Sequence, residues 1–249
     1  MITLKKDNEI KYTRKSYNSK TPVATYTRRV AYGLWESEKL IFSKYINKTD
    51  AILDVGCGAG RTTFALKNMG FDNIAGLDVS NKLIAFAKKH ARKNKINIPF
   101  VCADAQHTPF GEENFDACIF SYNGLMCVPN SEIRYNIMKE VHRVLKPNGI
   151  FIFTTHDRDD KRYRDFWDEE KIRWLTDRQD PRLFEYGDRI YSGDEEGEGF
   201  IHIPSQSEII EMIEENGFKL VYKENSDKIA KQTENKYFSD VLFWVIQKV

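Results

Sequence analysis

Residues 52–61 read Ile52-Leu53-Asp54-Val55-Gly56-Cys57-Gly58-Ala59-Gly60-Arg61, a short apolar run followed by three closely spaced glycines. The apolar run predicts a buried strand. The glycines predict a sharp turn that a ligand can approach closely, because glycine carries no Cβ. A helix beginning at Arg61 would offer unpaired backbone N–H groups at its first turn. We therefore interpret this stretch as a strand, a turn and a helix built to bind a ligand.

Two familiar nucleotide-binding turns do not fit this stretch. The dinucleotide motif G-x-G-x-x-G would place its third glycine at position 61, where Arg61 stands. The P-loop requires Gly-Lys-Ser/Thr after four intervening residues, and that sequence is absent. A tight turn that binds nothing remains the structural alternative.

Strands and helices alternate on both sides of this turn. We predict strands at 51–55, 73–77, 99–102, 115–120 and 150–155, and helices at 61–69, 80–93 and 131–145. A capping box at 205–208 opens a further helix that ends near 216–217, and strands at 218–222 and 237–247 follow. This alternation predicts a parallel sheet covered by helices on both faces.

The chain divides into four parts on this pattern. Residues 1–50 form an N-terminal arm and cap helix, of which 1–25 should have little regular structure and 26–47 should form one helix or a broken pair. Residues 51–155 form the ligand-binding core, and 203–249 complete its sheet. The charged, aromatic-rich insertion 156–202 is too long for an ordinary connection, so we expect a lid or substrate cap.

Composition limits the class of protein. With 249 residues, 41% hydrophobic and 13% aromatic, the chain can bury a core, so wholesale disorder is not expected. A net charge of +1 argues against nucleic-acid binding driven by bulk charge. No long apolar run or secretory leader is visible. The lack of such a run leads us to expect no membrane association. The cysteines form no metal-binding pattern, so we expect no metal site. Free cysteines without a secretory leader indicate a reduced, cytoplasmic protein.

Charge is unevenly distributed along the chain. Residues 1–50 hold 11 Lys/Arg against 5 Asp/Glu, and residues 156–200 hold 9 against 15. We expect both segments over the same edge of the sheet, where their opposite charges would favour closure of a lid. Two solvated surfaces are the alternative, since exposed ion pairs contribute little.

Two further aspartates follow predicted strands. Asp78 lies 18 residues after Gly60 at the end of the second strand, where a carboxylate can accept both hydroxyls of a ribose. Its alternative role is that of a helix-leading residue beside the Ser80 cap. Asp104 follows the third strand and could accept a hydrogen bond from an adenine amino group, or could be an ordinary loop residue.

Together these elements resemble the class I S-adenosylmethionine-dependent methyltransferases. Residues 54–60 are similar to the first motif of that family, Gly76-Leu77-Asp78 to the second, and Asp104-Ala105 to the adenine-contacting site. Residues 115–117 and 145–149 are similar to later landmarks of its small-molecule and general branch. The resemblance covers roughly residues 45–155 and extends more weakly over 203–249.

The resemblance implies an α/β fold: a doubly wound, Rossmann-like, seven-stranded sheet, mostly parallel with an antiparallel last strand. It implies S-adenosylmethionine as cofactor and S-adenosylhomocysteine as product. The residues expected to contact this cofactor belong to the glycine turn and to the ends of the following strands, with one from the N-terminal helix. They are Asp54, Gly56, Cys57, Gly58 and Gly60 for the methionine end, Asp78 and Val79 for the ribose, Asp104 and Ala105 for adenine, Ser121 and Tyr122 beside the sulfonium, and Arg29, with Tyr26 and Tyr32 as alternatives, near the carboxylate.

Catalytic residues are harder to assign, because methyl transfer from a sulfonium needs alignment and exclusion of water more than it needs a base. Candidates are His156 after the fifth strand and Tyr122 after the fourth, with His202 at the end of the insertion. A scaffold or solvated-loop role is the alternative for each histidine. Aromatic residues of the insertion could wall an acceptor or could simply pack it: Trp167, Trp174, Tyr186 and Tyr191.

The sequence thus favours a methyltransferase acting on a small molecule, as a monomer or homodimer. Nucleic acid is not the expected partner, because no RNA-binding domain is visible and the motif of DNA-amino methyltransferases is absent after the fourth strand. A tRNA or protein methyltransferase, and a non-catalytic protein that binds the same cofactor for regulation, remain alternatives.

Overall fold

The structure is a computed structural model that describes residues 13–193, 197–230 and 240–249. Its main feature is a seven-stranded sheet made of β1 Ile52–Val55, β2 Ile74–Asp78, β3 Phe100–Cys102, β4 Phe115–Phe120, β5 Leu145–Thr155, β8 Phe218–Asn225 and β9 Leu242–Lys248. The strand order is β3-β2-β1-β4-β5-β9-β8. Strands β1 to β5 are mutually parallel, and β9 runs antiparallel between β5 and β8. This architecture confirms the predicted fold.

Helices cover both faces of the sheet. They are α1 Lys20–Arg29, α2 Glu36–Tyr45, α3 Arg61–Asn68, α4 Asn81–Lys93, α5 Ser131–Val144, α6 Arg164–Leu175, α7 Gln206–Glu215 and α8 Ser226–Ile229. Two separate apolar clusters result, one on each face. The first joins the sheet to α5 and α7, and the second joins it to α2, α3 and α4. The inner strands are buried on both sides, as their continuous apolar sequences predict.

The N-terminal arm is more regular than predicted. Residues 13–17 are helical, and α1 begins at Lys20, so the expectation of little regular structure over 1–25 is wrong for this part. Pro22 lies in the first turn of α1, where its missing N–H is not needed. A 3-10 turn over Val30–Tyr32 separates α1 from α2, which fits the predicted broken helix pair.

Three strand boundaries also differ from the prediction, and one of them is the end of β8, which lies at Asn225 and not at Tyr222. β5 begins at Leu145, because the Lys-Pro-Asn-Gly sequence continues the strand through a register irregularity opposite Phe115. β9 begins at Leu242, and part of the predicted strand 237–247 lies outside the described residues.

The insertion after β5 contains α6 and a two-stranded hairpin of β6 Asp188–Gly193 and β7 Gly197–His202. The hairpin meets the N-terminal helices, since a Cβ on Gly197 would lie 3.7 Å from Cβ of Thr21. The insertion and the N-terminal helices therefore share one side of the molecule. Among the described residues, no helix combines the length and apolar character that crossing a bilayer requires.

Candidate active-site cleft

A deep cleft opens at the carboxyl ends of the parallel strands, where the strand order reverses around β1. Such a reversal leaves a crevice that open α/β sheets use for ligands. The cleft has a volume of about 1220 Å³ including its open mouth. Its floor is the glycine turn after β1, and its walls are the ends of β2 and β4, the loop after β3, the N-terminal helices and α5.

The glycine turn depends on the absence of side chains. Gly56, Gly58 and Gly60 have φ of +64°, +55° and +94°, a region that other residues rarely adopt. A Cβ on Gly56 would lie 2.2 Å from Cε2 of Phe120, whereas a Cβ on Gly58 would meet only ordinary contacts of 3.8 Å or more. The backbone of Gly58 is therefore open to a ligand, and that of Gly56 is packed against β4.

Asp78 joins this turn to the end of β2. Its Oδ2 accepts a hydrogen bond from the N–H of Gly58 at 2.8 Å, and its Oδ1 accepts from the N–H of Ser80 at 2.7 Å. Burial raises the pKa of Asp78, while the two backbone donors favour the charged form. The carboxylate is fixed in orientation and still lines the cleft, where its remaining lone pairs can accept hydrogen bonds from a ligand.

Asp54, at the end of β1, is a buried carboxylate to which the described residues offer one side-chain hydrogen bond. Its Oδ2 accepts a 2.5 Å hydrogen bond from Oγ1 of Thr63, and burial raises its pKa to about 7. A cation bound in the cleft would favour its ionised form, because an opposite charge nearby stabilises a buried carboxylate. The site is suited to a ligand that carries an ammonium group.

The guanidinium of Arg61 is already paired with a carboxylate other than Asp54. It donates to both carboxylate oxygens of Glu38 at 2.7 Å, and Glu38 is fully buried. Arg29 also lines the cleft, with its guanidinium carbon 5.5 Å from the ring centroid of Tyr26 and 5.1 Å from that of Tyr122. The lining thus presents a guanidinium held between two aromatic rings.

Two residues line the cleft near the ends of β3 and β4. Oδ1 of Asp104 accepts from the N–H of Gln106 at 2.9 Å. Oγ of Ser121 is buried and finds no hydrogen-bond partner among the described residues. A buried hydroxyl without a partner is costly, so Ser121 is available to a bound ligand.

The structure brings most of the predicted cofactor residues together around the cleft. Those that line it are Asp54, Gly56, Cys57, Gly58, Asp78, Val79, Asp104, Ala105, Ser121, Tyr122 and Arg29, with Tyr26 and Tyr32. Gly60 does not line the cleft. It caps α3, and a Cβ there would lie 2.6 Å from Phe64.

The two histidine candidates lie away from the cleft lining. Nδ1 of His156 is 3.1 Å from the carbonyl oxygen of Asp240, and burial lowers the pKa of this imidazole. His202 is buried between carboxylates, with Nδ1 2.8 Å from Asp188 and Nε2 2.6 Å from Glu208. Both arrangements are those of scaffold residues.

Aromatic residues of the insertion mainly pack against one another. Trp167 is buried against Phe166 and Tyr186, and the hydroxyl of Tyr186 donates to the carbonyl oxygen of Trp167 at 3.0 Å. Tyr191 lies in a smaller pocket between the hairpin and the N-terminal helices. None of the four insertion aromatics named in the sequence lines the main cleft.

The sequence did not indicate several residues that line the cleft. They include Thr13, Tyr17, Trp35, Leu83, Phe120, Gly124, Cys127, Val128, Ile133 and Ile137. Ile133 and Ile137 belong to the apolar stripe of α5, which predicts core packing and gives no sign that one edge borders a cleft. Tyr17 lay in the segment predicted to lack regular structure.

The central part of the chain is similar to known proteins. Residues 52–149 match a family model described as a methyltransferase domain. An uncharacterized protein of Methanocaldococcus jannaschii is 38% identical over 117 residues, which are 47% of this chain and 41% of that protein. A demethylmenaquinone methyltransferase of Lactobacillus johnsonii is 35% identical over 116 residues, covering 45% of this chain and 46% of the enzyme. The alignments therefore span less than half of either relative.

A solved structure extends the likeness to most of the fold. It is a crystal structure of an S-adenosylmethionine-dependent methyltransferase from Methanosarcina mazei, with a TM-score of 0.68 and 24% identity over 87% of this chain and 99% of that one. At this identity the match concerns the fold. It includes regions beyond 52–149, so the N-terminal helices or the insertion also have counterparts there.

Proposed function

Because residues 52–149 belong to the methyltransferase domain family and the sheet has the class I fold of S-adenosylmethionine-dependent methyltransferases, we propose that the chain methylates a small molecule held in the cleft. The observation that carries this proposal is the two-sided lining of the cleft. One side offers glycine backbone and carboxylates, and the other offers aromatic and aliphatic side chains.

The first side fits S-adenosylmethionine. We assign the ribose hydroxyls to the carboxylate of Asp78 and the adenine to the loop at Asp104 and Ala105, because all three residues line the cleft. Buried Asp54 favours an ammonium group, and Arg29 suits a carboxylate. The orphan hydroxyl of Ser121 offers one more polar contact. When bound, this cofactor supplies an electrophilic methyl group attached to a sulfonium.

The second side fits an acceptor with an apolar, planar body. It includes Trp35, Tyr122, Val128, Ile133 and Ile137, and the described residues of this wall carry no carboxylate. Aromatic walls of this kind bind flat rings by stacking and exclude water. The chain's main contribution would be to align the acceptor atom for in-line displacement, since alignment alone supplies much of the rate.

The continuation of the cleft past Tyr122 favours an enzyme over a regulatory protein. A protein that only bound the cofactor would have a lining for one molecule, whereas this lining extends to Cys127 and α5. The demethylmenaquinone methyltransferase among the relatives supports quinol-like rings as first acceptors to test.

The test has two stages. Calorimetry with S-adenosylhomocysteine should give saturable binding, and the ligand should raise the melting temperature, because a ligand that binds only the native state stabilises it. A screen of naphthoquinols, catechols and other planar phenols with tritiated S-adenosylmethionine should then find acceptor-dependent label transfer. Absence of binding at millimolar ligand would refute the cofactor assignment. Binding with no transfer to any small molecule would instead support the regulatory alternative.

A further inference from the structure

The near-zero net charge conceals a surface with cations and no acids. Residues 13–35 contain five Lys/Arg and no Asp/Glu, and residues 81–103 contain six Lys/Arg and no Asp/Glu. The first segment contains the helical residues 13–17 and α1, and the second contains α4. Together they carry 11 of the 38 cations of the chain and none of its 37 acids.

The two segments are joined in space. Oδ1 of Asn18 accepts hydrogen bonds from Oγ of Ser80 at 2.8 Å and from the N–H of Lys82 at 3.2 Å, and α1 packs against α4. Ser80 also donates to the carbonyl oxygen of Tyr17 at 3.2 Å. Their cations therefore share one surface, which we call the basic face. It consists of Arg14, Lys15, Lys20, Lys82, Lys88, Lys89, Arg92, Lys93 and Lys95.

Every side chain of the basic face is exposed. None of the nine makes a side-chain hydrogen bond or ion pair with any residue in the described ranges. In the insertion, by contrast, Arg162 pairs with Asp160 and Asp240, and Arg182 pairs with Asp180 and Glu198. The acids of the insertion are thus partly neutralised by nearby cations. The cations of the basic face have no such acidic partner among the described residues.

This arrangement costs stability. Lys88 with Arg92, and Lys89 with Lys93, are like charges spaced four residues apart on α4, and such pairs destabilise a helix. The described part of the chain provides no acid to offset them. A partner that brings negative charge would relieve this repulsion.

The spacing of the cations indicates a long partner. Lys82, Lys89 and Lys93 follow one line along α4, and Lys88 and Arg92 follow a second line beside it. From Lys82 to Lys93 the helix rises about 16 Å, at 1.5 Å per residue. A small molecule in the cleft would not reach both ends of such a row, whereas a chain of repeating anions would.

The basic face carries many charges and few exposed apolar groups. This composition favours a phosphate backbone as its partner over a protein or a bilayer. The exposed large apolar residues of the described chain include none on α4 and one, Tyr32, in residues 13–35. Protein interfaces need a desolvated apolar centre, and interfacial helices need apolar side chains to insert. Phe86 and His90 are half-buried beside the cation row, with ring centroids 5.9 Å apart, and could stack on unpaired bases.

We propose that the basic face binds single-stranded nucleic acid along α4, beginning at the mouth of the cleft. Leu83 of α4 and Tyr17 both line the cleft, so a strand bound on the face would pass its opening. The proposal departs from the expectation, drawn from the near-zero net charge, that nucleic acid is not a partner. The inference does not depend on the proposed methyl transfer, because it rests on a surface outside the cleft.

The test measures binding of a fluorescein-labelled 20-nucleotide oligouridine to the full chain by anisotropy between 50 and 200 mM NaCl. We expect affinity to fall steeply with salt, since each neutralised phosphate of a single strand contributes about 0.7 to the slope of log affinity against log salt. The variant Lys88→Gln/Lys89→Gln/Arg92→Gln/Lys93→Gln should weaken binding about tenfold or more at 100 mM salt and reduce the slope.

A matched control removes the same charge elsewhere. Lys139→Gln/Lys161→Gln/Lys171→Gln/Lys219→Gln also neutralises four exposed lysines, none of which belongs to the basic face. Equal weakening by the two variants, or no binding of the unmodified chain at 50 mM salt, would overturn the proposal. Tighter binding to an acidic polypeptide or to vesicles containing phosphatidylserine than to the oligonucleotide would also overturn it. An oligothymidine arm tests whether the sugar matters, and binding of either strand supports the proposal.

Discussion

The backbone N–H of Gly58 donates a 2.8 Å hydrogen bond to Oδ2 of Asp78, which joins the glycine turn after β1 to the end of β2. Oδ1 of the same carboxylate holds the N–H of Ser80 at the start of α4. One side chain therefore braces the turn and faces the cleft. A residue with both roles should affect ligand binding even when its replacement preserves the fold.

Replacing Asp78 with Asn should weaken S-adenosylhomocysteine binding by about 10- to 100-fold, which corresponds to loss of one or two hydrogen bonds to a charged group. The amide keeps one acceptor oxygen and adds an NH₂ group that opposes either Gly58 or Ser80. Calorimetry provides the dissociation constant. Asp72→Asn is the control, because Asp72 is 81% exposed and its side chain pairs with Lys67 alone among the residues that the structure describes. Affinity of Asp78→Asn within twofold of the unmodified chain would contradict the ribose role.

Gly56 should tolerate alanine less well than Gly70, although both have positive φ. At Gly70 a Cβ would meet no atom within 4 Å, whereas at Gly56 it would lie 2.2 Å from Phe120. Gly70→Ala should cost about 1 kcal/mol of backbone strain. Gly56→Ala should cost a further 1–3 kcal/mol, about the usual penalty for overpacking a core. Urea unfolding measures both values, and equal losses would mean that the turn relaxes away from β4.

The core of the fold and one side of the cleft could be predicted from the sequence, because both rest on local patterns. Strand, glycine turn and helix follow one another within residues 52–68, and parallel strands place their carboxyl ends at one edge. Asp54 and Asp78 lie at the ends of β1 and β2, and Asp104 follows β3, so their convergence needed no knowledge of distant contacts.

The acceptor side could not be predicted, because it depends on packing between distant segments. Tyr17 lines the cleft in a segment that is held by hydrogen bonds from Ser80, a residue 62 positions from Asn18 and 63 from Tyr17. The His202 cluster depends on the register of the hairpin, in which Asp188 lies opposite His202. Neither the apolar periodicity nor any motif fixes such a register. The basic face likewise depends on contact between two acid-free segments that are distant in the sequence.

Asp54→Asn should stabilise the ligand-free protein at pH 8 and impair ligand binding. Burial raises the pKa of Asp54 from 3.8 to about 7, so the folded protein retains a proton that the unfolded chain releases. The contribution of this group to stability is greatest below pH 4 and falls as pH rises toward 7. The substitution should therefore raise the free energy of unfolding at pH 8, on the order of 1–4 kcal/mol, with little effect at pH 4.

Urea unfolding at pH 4 and pH 8 measures this difference, and calorimetry at pH 8 measures binding. We expect weaker binding of S-adenosylhomocysteine, because an amide does not attract its ammonium group. A stability gain that is the same at both pH values would show that the buried charge is not its cause. Asp72→Asn again serves as the exposed control.

His202 contacts Asp188 in the insertion and Glu208 in α7, and these contacts should weaken at alkaline pH. Burial disfavours its charged form, but hydrogen bonds to Asp188 and Glu208 outweigh burial and raise its pKa above 6.5. The same contact lowers the pKa of Glu208 to about 2, against the effect of its own burial. The stabilisation from charged His202 is therefore complete below pH 6.5 and is lost as pH rises through the raised value. Arg134, Arg158 and Glu185 surround the cluster and add charges of both signs.

The free energy of unfolding of the unmodified chain alone would not isolate this effect. Burial lowers the pKa of both His142 and His156, and these groups favour stability at higher pH, opposite to His202. The informative quantity is the difference between the unmodified chain and His202→Gln, measured by urea unfolding from pH 5.5 to 9. The variant should be less stable at pH 5.5, and the difference should shrink as pH rises. A constant difference across this range would mean that His202 stabilises the cluster as a neutral hydrogen-bonding group, with no contribution from its charge.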